Sequence, residues 1–240
     1  MAKKFAVFDI DGTIARTSLF FQIVDELIAA GHLPAELRAE LDDKLETYRR
    51  RSHDDAFSEY AQASVNILFD NLVSVKLSDY RRAVDKVVER TSSYVYVYTR
   101  ELVKSLKQQG YFLIALSGSE TYAIEKFTAE YDFDAVLGDV YETAGDTFTG
   151  EVQSVIFDKG TALKKVVAEH KLDYAGSVAI GDSRSDSKML ELVEQPIAFN
   201  PERQLFELAK QRGWKIVIER KNMIYKLEPN DGSYVLAQAD

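Results

Sequence analysis

The sequence predicts an α/β protein: a parallel-sheet core interrupted, close to its first strand, by a wholly helical insertion. Three observations predict it. Residues 5–10 form a short apolar run with aromatic and β-branched members that stops at Asp11-Gly12, as a buried strand does on entering a turn. From residue 17 to about residue 95 the apolar residues recur only with helical spacing. Beyond the Tyr94-Val95-Tyr96-Val97-Tyr98 stretch, strand and helix signals alternate, which is the signature of a parallel sheet.

The elements follow in order. From Ser18, the residues Leu19, Phe20, Ile23, Val24, Leu27 and Ile28 make one apolar helix face, and Gly31 stops it. Pro34 suits a first helical turn, after which Leu37, Leu41, Leu45 and Tyr48 form a second stripe and Phe57, Tyr60, Ala61, Val65 and Leu68 a third. Residues 102–109 read as a helix closed by Gly110, and 111–116 as a strand running into Ser117-Gly118-Ser119. Residues 120–131 read as the next helix. Gly145-Asp146 separates two segments of a hairpin at 140–154. A helix at 160–171 and a strand at 177–180 lead to the Gly181-Asp182 loop. A strand at 216–218 and a hairpin about Pro229-Asn230-Asp231-Gly232 complete the chain.

With 46% hydrophobic and 29% charged residues, and no apolar run near the ~20 residues a membrane-spanning helix needs, the composition is that of a soluble protein. The Phe5–Phe8 run ends at once in acids, unlike a secretory leader, so the expected location is the cytoplasm. The absence of cysteine excludes disulfides, thiolate zinc sites and a Cys nucleophile. Thirty scattered basic residues against 39 acidic ones, a formal charge of −9, argue against a polynucleotide partner and leave room for a local anion pocket. A monomer and a homodimer are equally compatible with this composition.

Asp9 and Asp11 lie two apart at the C-terminal end of the first strand, so alternation turns both toward the sheet edge where open α/β sheets bind ligands. Two carboxylates so close call for a divalent cation with oxygen ligands, or else for a solvated turn. Ser117-Gly118, expected at a helix start, offers a hydroxyl and backbone N–H groups to a phosphate, or simply a helix cap. Lys159 opens another helix and could supply a fixed positive charge. Gly181-Asp182-Ser183-Arg184-Ser185-Asp186 ends a further strand with two more acids, of which Asp182 could complete a metal site. His32, His53 and His170 have no ligand spacing.

Taken together and in this order, Asp9-Ile10-Asp11-Gly12-Thr13, Ser117, Lys159 and Gly181–Asp186 resemble the four motifs of the haloacid-dehalogenase superfamily. Residues 145–150, Asp158–Leu163 and Pro196–Pro201 are similar to the phosphoserine-phosphatase-like subfamily IB. The resemblance implies a Rossmann-like core from residues 1–16 and 97–240, and a helical C1 cap from residues 17–96 hinged near Arg16 and Val95. It implies a Mg²⁺-dependent phosphatase of a small phosphorylated metabolite. Asp9 would be the nucleophile, Asp11 the general acid and base. Asp9, the Asp11 carbonyl and Asp182 would hold Mg²⁺, while Ser117, the Gly118 N–H and Lys159 would bind the phosphoryl oxygens. Thr13 and Asp186 would support them, Asp186 by orienting Lys159 or a metal-bound water.

The second acid distinguishes this pattern from the ion-pump ATPases of the same superfamily, which lack it. Phosphomutases keep it, so a phosphotransferase is the alternative, and a non-catalytic binding protein a more distant one. Phosphoserine phosphatases carry a Glu shortly after the first motif, where this chain has Ala15-Arg16-Thr17-Ser18-Leu19-Phe20. Arg16 would suit a substrate with a second anionic group, or would be a solvent-facing hinge residue. Arg49-Arg50-Arg51 reads as a solvated helix end. The tyrosines at 94, 96 and 98 read as packing of the return from cap to core, or as part of a pocket entrance.

Overall fold

The computed structural model describes residues 2–231 and 233–239, so Gly232 of the expected last turn lies outside the described residues. The chain divides into two compact units, one of Met1–Thr17, Ser92–Asp139 and Ser154–Asp240, the other of Ser18–Thr91 and Val140–Gln153.

The first unit is an α/β layer structure. Its strands are β1 (Lys4–Phe8), β2 (Phe112–Glu120), the first half of β3 (Ala135–Ala144), β5 (Asp173–Gly181), β6 (Gln195–Phe199), β7 (Lys215–Arg220), β8 (Met223–Asn230) and β9 (Ser233–Ala239), with β4 (Thr147–Gln153) left to the second unit. They are ordered β3-β2-β1-β5-β6-β7-β8-β9, parallel from β3 to β7 and antiparallel thereafter. In that register Phe8 of β1 stands level with Ala115 on one side and Ile180 on the other, so β1 and β5 end together while β2 runs on to Glu120. Phe5, Val7, Ile114, Leu116, Ala179 and Ile216 build the core with Leu163, Met189, Leu190 and Leu205 from the covering helices. These apolar runs are near-continuous because a parallel sheet is buried on both faces. Strand β6, whose Pro196 and five-residue length give little strand signal, and a helix at Arg203–Arg212 have no counterpart among the expected elements.

The second unit holds helices α1 (Leu19–Ala29), α2 (Leu37–Arg49), α3 (Ala56–Asn71) and α4 (Leu77–Thr91). Ser18 caps α1 by accepting from Phe21 N, and Leu19, Ile23, Val24, Leu27 and Ile28 are its buried face. The expected stripe on α3 needs correction: Tyr60 and Leu68 are buried, but Ala56, Ala63, Ser64 and Ile67 complete the face. Phe57 is left 42% exposed, its ring set against Tyr48 and Phe21 at the border of the helix packing.

The expected boundaries of the insertion also shift. Residues 92–96 return with the first unit, and the hairpin at 140–153 belongs with the helices. The reason lies in its turn and its aromatic face. Leu77 N donates to Asp146 O, Ser78 donates through N and Oγ to the Asp146 carboxylate, and Tyr80 packs edge-on against Phe148 at 5.4 Å. The turn itself is Gly145-Asp146, with Gly145 at φ +66°.

Candidate active site

The site is built in the first unit at the C-terminal ends of β1 and β5 and on the stretch of β2 that runs beyond them. Asp9 follows β1, is 4% exposed, and its N donates to Ile180 O at 2.9 Å. The next residues fold back on themselves: the N–H groups of Thr13, Ile14 and Ala15 all donate to Ile10 O. Gly12 takes φ +80°, and a Cβ there would enter the carboxylate of Asp182, so only glycine permits the two loops to approach. Helix α5 (Val97–Gln108) locks the loop from behind, with Thr99 Oγ1 donating to Thr13 O at 2.8 Å. Thr13 Oγ1 is buried and has no partner among the described residues.

Asp11 turns its carboxylate toward β2. Ser117 Oγ donates to Asp11 Oδ2 at 2.8 Å and Ser119 Oγ donates to the same oxygen at 2.7 Å. The expectation that Ser117 and Gly118 open a helix is therefore corrected: β2 continues to Glu120, which pairs with Asp139 and caps helix α6 (Thr121–Thr128) instead. On a strand, Ser117 and Ser119 point the same way, which is how both reach Asp11. Ser119 is not among the residues expected from the sequence, although this alternation points to it. Gly118 lies between them, and a Cβ on it would stand 2.5 Å from Ile156 Cδ1.

Lys159 opens helix α7 (Lys159–Glu169), whose first turn is capped by Asp158 accepting from Thr161 N. The Lys159 ammonium donates to Asp9 Oδ1 and to Asp186 Oδ1, each at 2.6 Å, and the side chain is 2% exposed. Asp186 spends its other oxygen on the loop after β5, accepting from Asp182 N, Ser183 N and Ser183 Oγ at 3.0–3.1 Å. A Cβ on Gly181 would collide with Asp186, so this glycine permits the tight return of the loop.

Charge in this site is unbalanced, and the proton affinities follow. Burial pushes the Asp9 carboxyl up to about 7, with Lys159 opposing and the charges of Asp186 and Asp11 adding to the rise. Asp182 is raised well above its ordinary value by burial and then by Asp9 and Asp186. Burial would lower Lys159, but the carboxylates of Asp186 and Asp9 outweigh it and hold the ammonium above its usual range.

Asp9, Asp182 and Asp186 each present a carboxylate oxygen within 4.8 Å of the others. Asp186 has both oxygens engaged, whereas the Asp182 carboxylate receives no hydrogen bond from the described residues. Three gathered acids facing one ammonium fit a hard divalent cation with oxygen ligands. The side chain of Asp11 stands outside this group, held by its two serines. Of the remaining residues singled out in the sequence, His32 lies 3.4 Å from Asp79, His53 lies 3.8 Å from Glu59 and the His170 ring packs on Phe112. Tyr94 is exposed, while Tyr96 and Tyr98 pack on Phe199.

Comparison with known proteins bears on this geometry. The family model described as haloacid dehalogenase-like hydrolase matches residues 6–191. The chain is 28% identical over 210 residues to a phosphoserine phosphatase of Archaeoglobus fulgidus, a match covering 86% of this chain and 55% of that protein, so it spans about half the length of that relative. It is 25% identical to histidinol-phosphatase of Neisseria meningitidis serogroup C, over 90% of this chain and 98% of that one. Among solved structures, a Bordetella pertussis Tohama I protein of unknown function superposes with a TM-score of 0.73 at 21% identity, covering 91% of this chain and 99% of that one. A substrate-bound phosphoserine phosphatase gives a TM-score of 0.62 at 21% identity, covering 86% of this chain and 90% of that one. The structural likenesses speak for the fold, and the family match runs from the strand before Asp9 past the loop of Asp182 and Asp186; the chain belongs to the haloacid dehalogenase-like hydrolase family.

Proposed function

We propose that this chain is a phosphoric monoester hydrolase that takes the phosphoryl group of a small phosphorylated metabolite onto Asp9 and then passes it to water. The observation that carries the reading is the buried Lys159 ammonium held between Asp9 and Asp186 at 2.6 Å from each, beside an Asp11 fixed by two serines. The names of the two curated relatives support a small phosphomonoester as substrate. No helix among the described residues is long and apolar enough to cross a membrane.

In this reading an Asp9 carboxylate oxygen attacks phosphorus, the bond from phosphorus to the ester oxygen breaks, and Asp11 gives its proton to the leaving oxygen. Asp11, now a carboxylate, takes a proton from water as that water attacks the aspartyl-phosphate, which frees inorganic phosphate and restores Asp9. Lys159 and the Gly118 N–H hold the phosphoryl oxygens. Asp186 fixes Lys159, and Ser117 and Ser119 fix Asp11 through its Oδ2. Asp9, Asp182 and the Asp11 carbonyl would hold Mg²⁺. Bound there, the cation supplies positive charge that keeps Asp9 ionised and offsets charge on the transferring group. The helical unit acts as the C1 cap.

Phosphate release from a panel of phosphomonoesters with Mg²⁺, wild type against Asp9→Asn, tests the reading. Release should be Mg²⁺-dependent and fall by ~10³-fold or more in the variant. A wild type that is phosphorylated on Asp9 yet releases no phosphate would turn the reading to transfer onto another hydroxyl.

A further inference from the structure

Arg16 is a cation that the proposed chemistry does not use. It follows the Asp9–Thr13 loop and is fixed through its backbone. Arg16 N donates to Tyr94 O at 2.9 Å, Ala15 bridges Val95, and Tyr96 N donates to Ile14 O at 3.0 Å. The guanidinium carbon stands 5.3 Å from the centroid of the Tyr96 ring. That ring packs edge-on against Phe199, at the end of β6, with centroids 4.9 Å apart, and its hydroxyl feels the charges of both Arg16 and Asp182. The cation is therefore held at the same sheet edge as Asp9, Asp11 and Asp182, and all these residues lie within the first unit. In a chain with 39 acidic residues, Arg16 is exposed and no carboxylate among the described residues pairs with it.

We propose that Arg16 is a specificity-determining residue that recognises a carboxylate on the leaving group of the phosphomonoester; the proposal rests on the phosphatase reading above. Stacking on Tyr96 presets the planar fork that binds a carboxylate through two parallel hydrogen bonds. The four acids at the site select the ligand further. A bisphosphate would bring more negative charge against Asp9, Asp11, Asp182 and Asp186 than a phosphocarboxylate does. The substrate class is therefore a phosphomonoester of a hydroxy acid.

Two non-hydrolysable probes that differ by one carboxylate test this. Isothermal titration of 3-phosphonopropionate and propylphosphonate into the Mg²⁺-loaded protein should give about tenfold tighter binding of the first. Arg16→Gln should weaken 3-phosphonopropionate about tenfold more than propylphosphonate, and Arg16→Lys should restore part of the preference. Equal or absent binding of the two probes by the wild type, or equal weakening of both by Arg16→Gln, overturns the proposal. Release of p-nitrophenol from p-nitrophenyl phosphate is read separately. Its absence beside an intact carboxylate preference would sink the hydrolase reading and leave Arg16 standing.

Discussion

The Lys159 ammonium lies 2.6 Å from Asp9 Oδ1 with both side chains out of solvent, so the charge of the proposed nucleophile is tied to that ammonium. Lys159→Met would leave Asp9, Asp182 and Asp186 facing one another without compensation. We expect metal-free Lys159→Met to lose about 3–5 kcal/mol at neutral pH by urea unfolding, since one partner of a buried pair has gone. Phosphate release should fall by ~10³-fold. Adding Asp186→Asn should recover part of the stability and none of the rate, because it relieves repulsion without restoring the cation proposed to bind phosphate.

Asp9, raised from 3.8 to about 7 by burial against the opposing pull of Lys159, makes the metal-free protein pH-sensitive in a defined direction. Between those values the folded state binds more protons than the unfolded chain, so stability falls as pH rises through this window. Lys159 stays protonated throughout and adds no slope there. The loss should amount to a few kcal/mol, on the order of one to three. Denaturant unfolding in EDTA from pH 4.5 to 7.5 measures it, with Asp9→Asn as the reference that keeps only the slope of the other raised carboxyls, Asp182 and Asp139. Mg²⁺ should reverse the fall near pH 7, since a ligand that binds only the folded state adds to its stability. Stability that climbs with pH in EDTA, relative to Asp9→Asn, would contradict the assignment.

Ser117 and Ser119 both donate to Asp11 Oδ2, but Ser117 Oγ also accepts from Ser119 N at 3.0 Å. Removing Ser117 thus frees a buried N–H as well as a carboxylate oxygen, and Ser119→Ala frees only the latter. Each lost hydrogen bond to a charged group is worth about 1.5–3 kcal/mol. Ser117→Ala should therefore lower thermal stability more than Ser119→Ala, while both cut phosphate release by at least about tenfold. A Ser119→Ala protein as fast as wild type would remove Ser119 from the site.

Much of this site was legible because its chemistry sits where strands end. Asp9, Asp11, Lys159 and Asp182 each follow an apolar run or open a helix, so a reading of period and punctuation finds them. The structure's departures come from partners distant in the chain. Ser119 matters because β2 does not stop at Ser117, and the continued pairing of Glu120 with Asp139 carries no local signal. The hairpin at 140–153 reads correctly as a hairpin, yet its grouping with the helices depends on Asp146 meeting Ser78, 68 residues away. Periodicity on α3 found Tyr60 and Leu68 and misassigned Phe57, because an aromatic ring at the edge of a face buries partly against other rings instead of in the core.

Asp139 is a buried acid with a place outside the proposed chemistry. It is 5% exposed, and its carboxylate accepts from Ser154 Oγ on both oxygens at 2.9 Å and from Val155 N at 2.8 Å. These bonds join the two points where the first unit gives up the chain and takes it back. They also set the start of the segment that seats Ile156 against Gly118 and opens α7 at Lys159. Burial raises the Asp139 carboxyl despite these donors, so its charge is a cost that the hydrogen bonds only partly offset. Asp139→Ala should lose about 2–3 kcal/mol by leaving Val155 N and Ser154 Oγ unsatisfied. Asp139→Asn keeps an acceptor for Val155 N and removes the buried charge. It should therefore recover most of that loss at pH 7.5 and less at pH 5, since lower pH favours the neutral form of a carboxyl already raised by burial and shrinks its penalty. Chemical denaturation of the three proteins at both pH values decides it, and equal losses in Asn and Ala would show that the carboxylate itself, rather than an acceptor at that point, holds the neck of the hairpin.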